Sequence, residues 1–159
     1  GLKARGTGWA VENVERDSGL FDPAFEDVLS HIRRWCTDSG LPAWHAPKRE
    51  GFFRFLVVRR SLSEDRLLVN LVTTSDGLDD FDVQGFHALL VDRLGDRLAG
   101  FVHTLNDDKG ERVEARDGST HFVAGVAALI QSLCGSIPDL FALVAVIGPA
   151  CLASEAAAG

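Results

Sequence analysis

The sequence has 159 residues, no methionine, and a first residue that is Gly1. A partial sequence, a processed chain or an artificial boundary is expected from that start. Cysteine is scarce: Cys36, Cys134 and Cys151 are far apart, odd in number and without a CxxC pair. This excludes a disulfide framework and a cysteine-zinc site as first readings, and makes a reducing cytoplasm the default. No signal-peptide pattern opens the chain. Lysine and arginine stop at Arg116, and from Val126 onward only Asp139 and Glu155 carry charge. That tail holds the apolar run LFALVAVIGPACLA, interrupted by Gly148 and Pro149. It is shorter than the roughly 20 residues a membrane helix needs, so no membrane partner is expected. His31, His45, His87, His103 and His121 show no metal-ligand spacing. No Ser/His/Asp or Cys/His set stands out. Asp79-Asp80 and Asp107-Asp108 read as helix-start and turn residues, not as an acid–base pair.

What is present is enough chain for one domain with a core. Net charge is −7, which argues against indiscriminate binding to nucleic acid but leaves room for a local basic patch. Residues 1–16, with Trp9, Val11 and Val14, read as a strand. Asp22-Pro23 is a helix start, an N-cap followed by proline in the first turn. Phe25, Val28, Leu29, Ile32, Trp35 and Cys36 then recur at helical spacing, and Gly40 and Pro42 end the element. LPAWHAPKREG is a loop. Asp76-Gly77 is a turn, Asp79, Asp80 and Asp82 suit a helix N-terminus, and Val83, Phe86, Leu90 and Leu94 mark a second helix. Ala99–Asn106 reads as a strand, Asp108-Lys109-Gly110 as a turn, and Glu111–Arg116 as a further strand. The order β-α-β-β-α-β predicts an α+β, ferredoxin-like sandwich with extra strand material and an atypical C-terminal tail. The predicted division is a domain over 1–124 and an atypical apolar tail over 125–159, frameshifted or disordered.

The segment GFFRFLVVRRSLSEDRLLVNLVTT (51–74) reads as a hairpin. Strict alternation puts Phe53, Phe55 and Val57 on one side and Arg54, Leu56, Val58 and Arg60 on the other. In the second strand Leu67, Val69 and Leu71 oppose Arg66, Leu68, Asn70 and Val72. One side is then wholly apolar and the other mixed. Arg54, Arg60, Arg66 and Asn70 on the mixed side have two readings: contacts to phosphates or an RNA loop, or a solvated, domain-packing surface with snorkelling arginines. Phe52, on the mixed and more open side, is the aromatic suited to stacking on a base, whereas Phe53 and Phe55 read as core. Arg59 is expected on the apolar side, paired with a helix carboxylate. Trp44 is expected to anchor its loop on the core.

The runs GLPAW…GFFRFLVVR, LLVNLVT and GFVHTLND resemble the middle of bacterial RNA (uracil-5-)-methyltransferases, above all 23S rRNA enzymes of the TrmA/RumA type. GLKARG…VENVE resembles the segment before it. The resemblance runs from about Gly1 to about Gly125, with anchors at Gly51, Arg54, Leu56, Val57, Val58, Arg59, Val69, Asn70 and His103. It implies a full-length parent that moves a methyl group from S-adenosylmethionine to C5 of a uridine, with this central part positioning the RNA. It also implies a separate catalytic domain as partner. The family's aromatic-aromatic-Gln-x-Asn segment, Asp-Pro-Pro-Arg segment and Ser-Cys-Asn nucleophile segment are not in these 159 residues. Neither SLCGS nor PACLA matches the nucleophile. Asp17-Ser18-Gly19 stands where many members place a cluster cysteine, so no iron–sulfur cluster and no cofactor is expected on this chain. SIPDLFALVAVIGPACLASEAAAG departs from the family, as an altered reading frame would. The expectation is a fragment that contributes RNA positioning and is inactive by itself. The alternative is a stand-alone ferredoxin-like module for a protein or small-molecule partner.

Overall fold

Asp22 starts the first helix as its sequence predicts. Its carboxylate accepts from the amides of Ala24 (3.0 Å) and Phe25 (3.2 Å), and Pro23 occupies the first turn. In the computed structural model, which describes residues 2–3, 11–12, 19, 21–110, 120–125 and 140–146, this helix is α1 (Pro23–Asp38). It buries Phe25, Val28, Leu29, Ile32 and Cys36 along one stripe. Gly40, at φ 70°, follows its end.

A hairpin follows, β3 (Phe53–Ser61) and β4 (Arg66–Thr73), antiparallel. It is numbered after two short strands, β1 (Leu2–Lys3) and β2 (Val11–Glu12). A 3-10 turn, Leu78–Asp80, leads to α2 (Val83–Leu94), capped by the Asp82 carboxylate on the Gly85 amide at 2.8 Å, and a second, Gly95–Arg97, follows it. Phe86, Leu90 and Leu94 are its buried stripe. The chain then enters β5 (Leu98–Leu105), parallel to β4, so β4-α2-β5 is a crossover between neighbouring strands. β6 (Thr120–Gly125) pairs with β5 and β7 (Leu140–Val146) with β3, both antiparallel. The mixed sheet runs β6-β5-β4-β3-β7.

The α+β class is as expected, but the ferredoxin-like order is not confirmed. That order needs a strand between the two ends of the crossover. Here β4 and β5 are hydrogen-bonded directly, and β2, in the region expected to supply the first strand, pairs among the described residues with β1 in a separate two-stranded sheet. Glu111–Arg116 lies outside the described residues. Within the atypical tail, Leu140–Val146 forms the strand against β3.

The helix-side core joins α1 and α2 to Phe52, Phe53, Leu56, Val58, Leu67, Val69, Leu71, Phe81 and Phe101. Fully burying each such side chain contributes ~1.5–3 kcal/mol. Phe55, Val57 and Val72 form a second cluster on the opposite side of the sheet. Strict alternation fails because the β3–β4 register shifts between Phe53 and Phe55. One extra residue at such a bulge reverses every side chain beyond it. Phe53 faces the helices, and so do Leu56 and Val58, while Phe55 and Val57 face away.

Candidate nucleic-acid interface

The bulge redistributes the arginines. Arg60 pairs in register with Leu67, a residue of the helix-side core, and Arg59 pairs with Leu68. Their expected sides are therefore exchanged. Arg60 reaches the carboxylate that caps α1: its Nη1 lies 3.3 Å from Asp22 Oδ2.

Arg60 belongs to a four-residue network at the turn end of the hairpin. Its Nε and Nη2 donate to Asp65 Oδ1 at 2.9 and 2.6 Å. Arg97, just before β5, donates from Nη1 to Asp22 Oδ1 at 3.2 Å and makes a short bond from Nη2 to Asp22 Oδ2. The same Nη2 lies 3.0 Å from Asp65 Oδ1, and Arg97 Nε donates to the Asp65 carbonyl at 3.3 Å. Asp22 is buried, and the hydrogen bond from Arg97 holds its carboxyl below the usual range although burial alone would raise it. Asp65 is also held low, first by the Arg60 hydrogen bond. Arg97 is raised by its bond to Asp22.

Arg54 sits at the other end of β3, at the bulge, and is fully buried (0% exposed). Its guanidinium donates to the carbonyls of Asn106 (2.6 Å), Asp108 and Gly110, and lies 4.3 Å from the centre of the Trp44 ring. Burial lowers its pKa, while Asp108 and Asp107 pull the other way. Its Nε is buried without a hydrogen-bond partner among the described residues. The loop below is tied to the hairpin by Trp44 N to Phe53 O (2.8 Å) and Phe52 N to Pro42 O (2.7 Å).

Arg66 is half-buried and bonds backbone, Nε to Asp96 O at 3.2 Å and Nη2 to Leu98 O at 3.1 Å. Asn70 is half-buried and accepts from Thr104 Oγ1 at 2.9 Å across the β4–β5 pair. Phe52 is not open as expected: it is 1% exposed, packed edge-on to Phe53 and tilted against Phe81. The five expected residues therefore do not converge. Arg60 and Arg66 share the turn end, Arg54 and Phe52 lie at the opposite end, and Asn70 lies between them.

Sequence reasoning missed Arg97, Asp22 as an ion-pair partner, and Asp65. The available signals were an acidic turn (Glu64-Asp65) beside Arg60, and a Gly-Asp-Arg turn opening β5. His103 is buried, with Nε2 2.9 Å from Thr73 Oγ1. That hydroxyl also bonds the Thr74 carbonyl at 3.0 Å. Cys36 is buried, and burial raises its thiol well above the usual range. Among the described residues no group of His, Cys, Asp and Glu is placed to hold a metal, and no helix is long and apolar enough to cross a membrane. What remains chemically is a set of guanidinium donors bound to carboxylates and backbone carbonyls of the chain itself.

No protein-family model matches the chain. It is 26% identical over 137 residues to a Clostridium tetani protein named as an uncharacterized RNA methyltransferase, covering 85% of this chain and 29% of that protein. It is 29% identical over 115 residues to a Clostridium acetobutylicum protein of the same description, covering 71% of this chain and 24% of the relative. A Pyrococcus abyssi tRNA (uracil(54)-C(5))-methyltransferase is 24% identical over 80 residues, 50% of this chain and 20% of that enzyme. The chain thus spans less than a third of these relatives, and over that part it is similar to proteins named as RNA methyltransferases, among them, over 80 residues, a tRNA (uracil(54)-C(5))-methyltransferase.

Proposed function

We propose that this chain is the RNA-positioning part of an S-adenosylmethionine-dependent RNA (uracil-5-)-methyltransferase, and that the RNA is 23S rRNA in the cytoplasm. The observation that carries the reading is similarity over most of this chain to less than a third of RNA methyltransferases. The parent's methyl transfer needs a cofactor site and a nucleophile, and neither motif is among these 159 residues. The chain's share is to bind and orient. Arg60 and Arg66 at the turn end of the hairpin are the positioning residues for phosphate, with Asn70 between strands as a hydrogen-bonding group. Arg54 and Phe52 act from within, shaping the end of the sheet from which the chain continues.

The second reading, a stand-alone module for a protein or small molecule, is favoured by the net charge of −7. Titration of the whole chain with 23S rRNA fragments and with tRNA, at several salt concentrations, separates the two. The RNA reading expects affinity that falls with salt and that is tighter for 23S fragments. A folded chain with no salt-dependent affinity for any RNA overturns it. Tighter binding to tRNA overturns the 23S assignment.

A further inference from the structure

The Arg60–Arg97 pair is arranged around one carboxylate oxygen in a manner that an oxyanion would satisfy equally well. Three N–H groups converge on Asp65 Oδ1: Arg60 Nη2 (2.6 Å), Arg60 Nε (2.9 Å) and Arg97 Nη2 (3.0 Å). Guanidinium forks match phosphate as they match carboxylate.

The two aspartates of the network are not equivalent. Asp22 is part of the fold: its side chain is 6% exposed, it caps α1, and it grips Arg97 through both oxygens. Asp65 is a lid on the outside. Its side chain is 56% exposed, and it sits in the hairpin turn at φ 51°, a left-handed conformation that carries strain for a residue other than glycine. Exposed ion pairs of this kind are weakly held in water and in salt.

The guanidinium groups have anchors other than the Asp65 carboxylate. Arg97 stays on Asp22 and on the Asp65 backbone carbonyl, and Arg60 stays within 3.3 Å of Asp22. If the Asp65 side chain turns into solvent, two cations face water with one buried carboxylate behind them.

We propose that Arg60 and Arg97 form a phosphate-binding site, occupied in the free protein by the Asp65 carboxylate, which an incoming phosphate displaces. That the phosphate comes from an RNA backbone rests on the function proposed above; the oxyanion site itself does not. The turn then works as a built-in competitor. It satisfies the three converging N–H groups of the two arginines until a phosphate takes its place.

The test uses the whole 159-residue chain. Asp65→Asn removes the competing charge and keeps a residue type that tolerates left-handed backbone. Affinity is measured by calorimetry at low salt for inorganic phosphate and for single-stranded 23S rRNA fragments. The variant is expected to bind phosphate about ten-fold more tightly than the parent chain, and Asp65→Asn combined with Arg60→Gln to lose that gain. In the double variant Arg97 still satisfies Asp22, and a thermal melt verifies that the chain is folded. Unchanged phosphate affinity in Asp65→Asn overturns the site, as does a gain that survives Arg60→Gln. An RNA gain parallel to the phosphate gain supports the backbone as the source. A phosphate gain with no RNA affinity in either chain keeps the site and overturns the RNA reading.

Discussion

Arg54→Met is the substitution that separates a buried clamp from an RNA contact. Arg54 is 0% exposed and holds three carbonyls, those of Asn106, Asp108 and Gly110, while lying against Trp44. Hydrogen bonds from a charged donor are worth ~1.5–3 kcal/mol each, and the cation–π contact about 0.5–2 kcal/mol. Asn106 is itself buried, so its carbonyl pays the full cost of losing its donor, whereas Gly110 is exposed and regains water. Against these losses, methionine avoids the desolvation of a buried guanidinium, which is several kcal/mol. The net expectation is a loss of about 3 kcal/mol. For a chain of this length that is a fall in Tm of roughly 6–12 °C. Arg54→Lys recovers only part of it, because one ammonium cannot reach three diverging carbonyls as a planar fork does. Urea melts and thermal melts measure both variants. RNA affinity, taken well below Tm, is expected to stay within about two-fold of the parent chain for Arg54→Met, since a ~0.4 kcal/mol change is that factor. Stability within about 0.5 kcal/mol of the parent refutes the clamp. If RNA affinity is lost at the same time, Arg54 contacts the ligand after all.

Two further outcomes follow from local geometry. Gly51 has φ 122°, and a Cβ there would stand 2.3 Å from the Ala43 carbonyl oxygen, a backbone atom that cannot step aside. Gly51→Ala combines that strain with overpacking, so a loss of roughly 3 kcal/mol or more is expected in urea melts; an unmoved midpoint contradicts the packing described. The Asp22 carboxyl is held below its ordinary value in the folded chain by Arg97. A depressed folded pKa means the unfolded chain takes up protons first, so this contribution is complete above the ordinary value near 4 and is lost as pH falls through the folded value. Stability measured from pH 6 down to pH 2 should therefore fall more steeply for the parent than for Asp22→Asn; parallel curves are the contrary result.

The helices were legible because their signals are local. Asp22-Pro23 and the Phe25-to-Cys36 stripe fix α1 from neighbours within a turn or two, and Asp82 caps α2 in the same way. The hairpin was legible as an element but not in phase. A one-residue bulge between Phe53 and Phe55 reverses the sides of β3, and nothing in a run of aromatic and aliphatic residues marks where it falls. Arg54, which sits at the bulge, and Phe52, which precedes β3, were placed on an open side by carrying the alternation through them, and both are in fact buried. The strand order was out of reach for a different reason. Whether β5 lies beside β4 or one strand away is decided by pairing across more than twenty residues, which local pattern does not encode. At the turn end, Arg60 and Arg66 stood out as candidates by charge, while Arg97 offered only its Gly-Asp-Arg turn, since its partners, Asp22 and Asp65, are distant in sequence.

The net charge of −7 weighs less on the RNA reading than its size implies, because the acids are not spread evenly. Asp76, Asp79, Asp80, Asp82, Asp107 and Asp108 follow the ends of β4 and β5, with Lys109 among them. The arginine network stands at the opposite end of the same strands. β4 has 8 residues, a span of roughly 25 Å at the usual rise, whereas charges in physiological salt are screened beyond about 8 Å. The acidic end therefore closes itself to a polyanion without repelling one from the other end. Yet the arginine end is no strong attractor either: Arg60, Arg93 and Arg97 pair with Asp22, Asp65 and Asp92, and Arg66 bonds the Asp96 carbonyl. Long-range steering cannot deliver RNA to such a surface. Short-range exchange of the Asp65 carboxylate for a phosphate can, and it engages few phosphates at a time. Two phosphates on a single strand correspond to a log–log salt slope of about −1.4, far shallower than that of a basic groove. A steep slope in the titration would place the RNA on some other part of the chain, and the arginine pair would then be a structural staple alone.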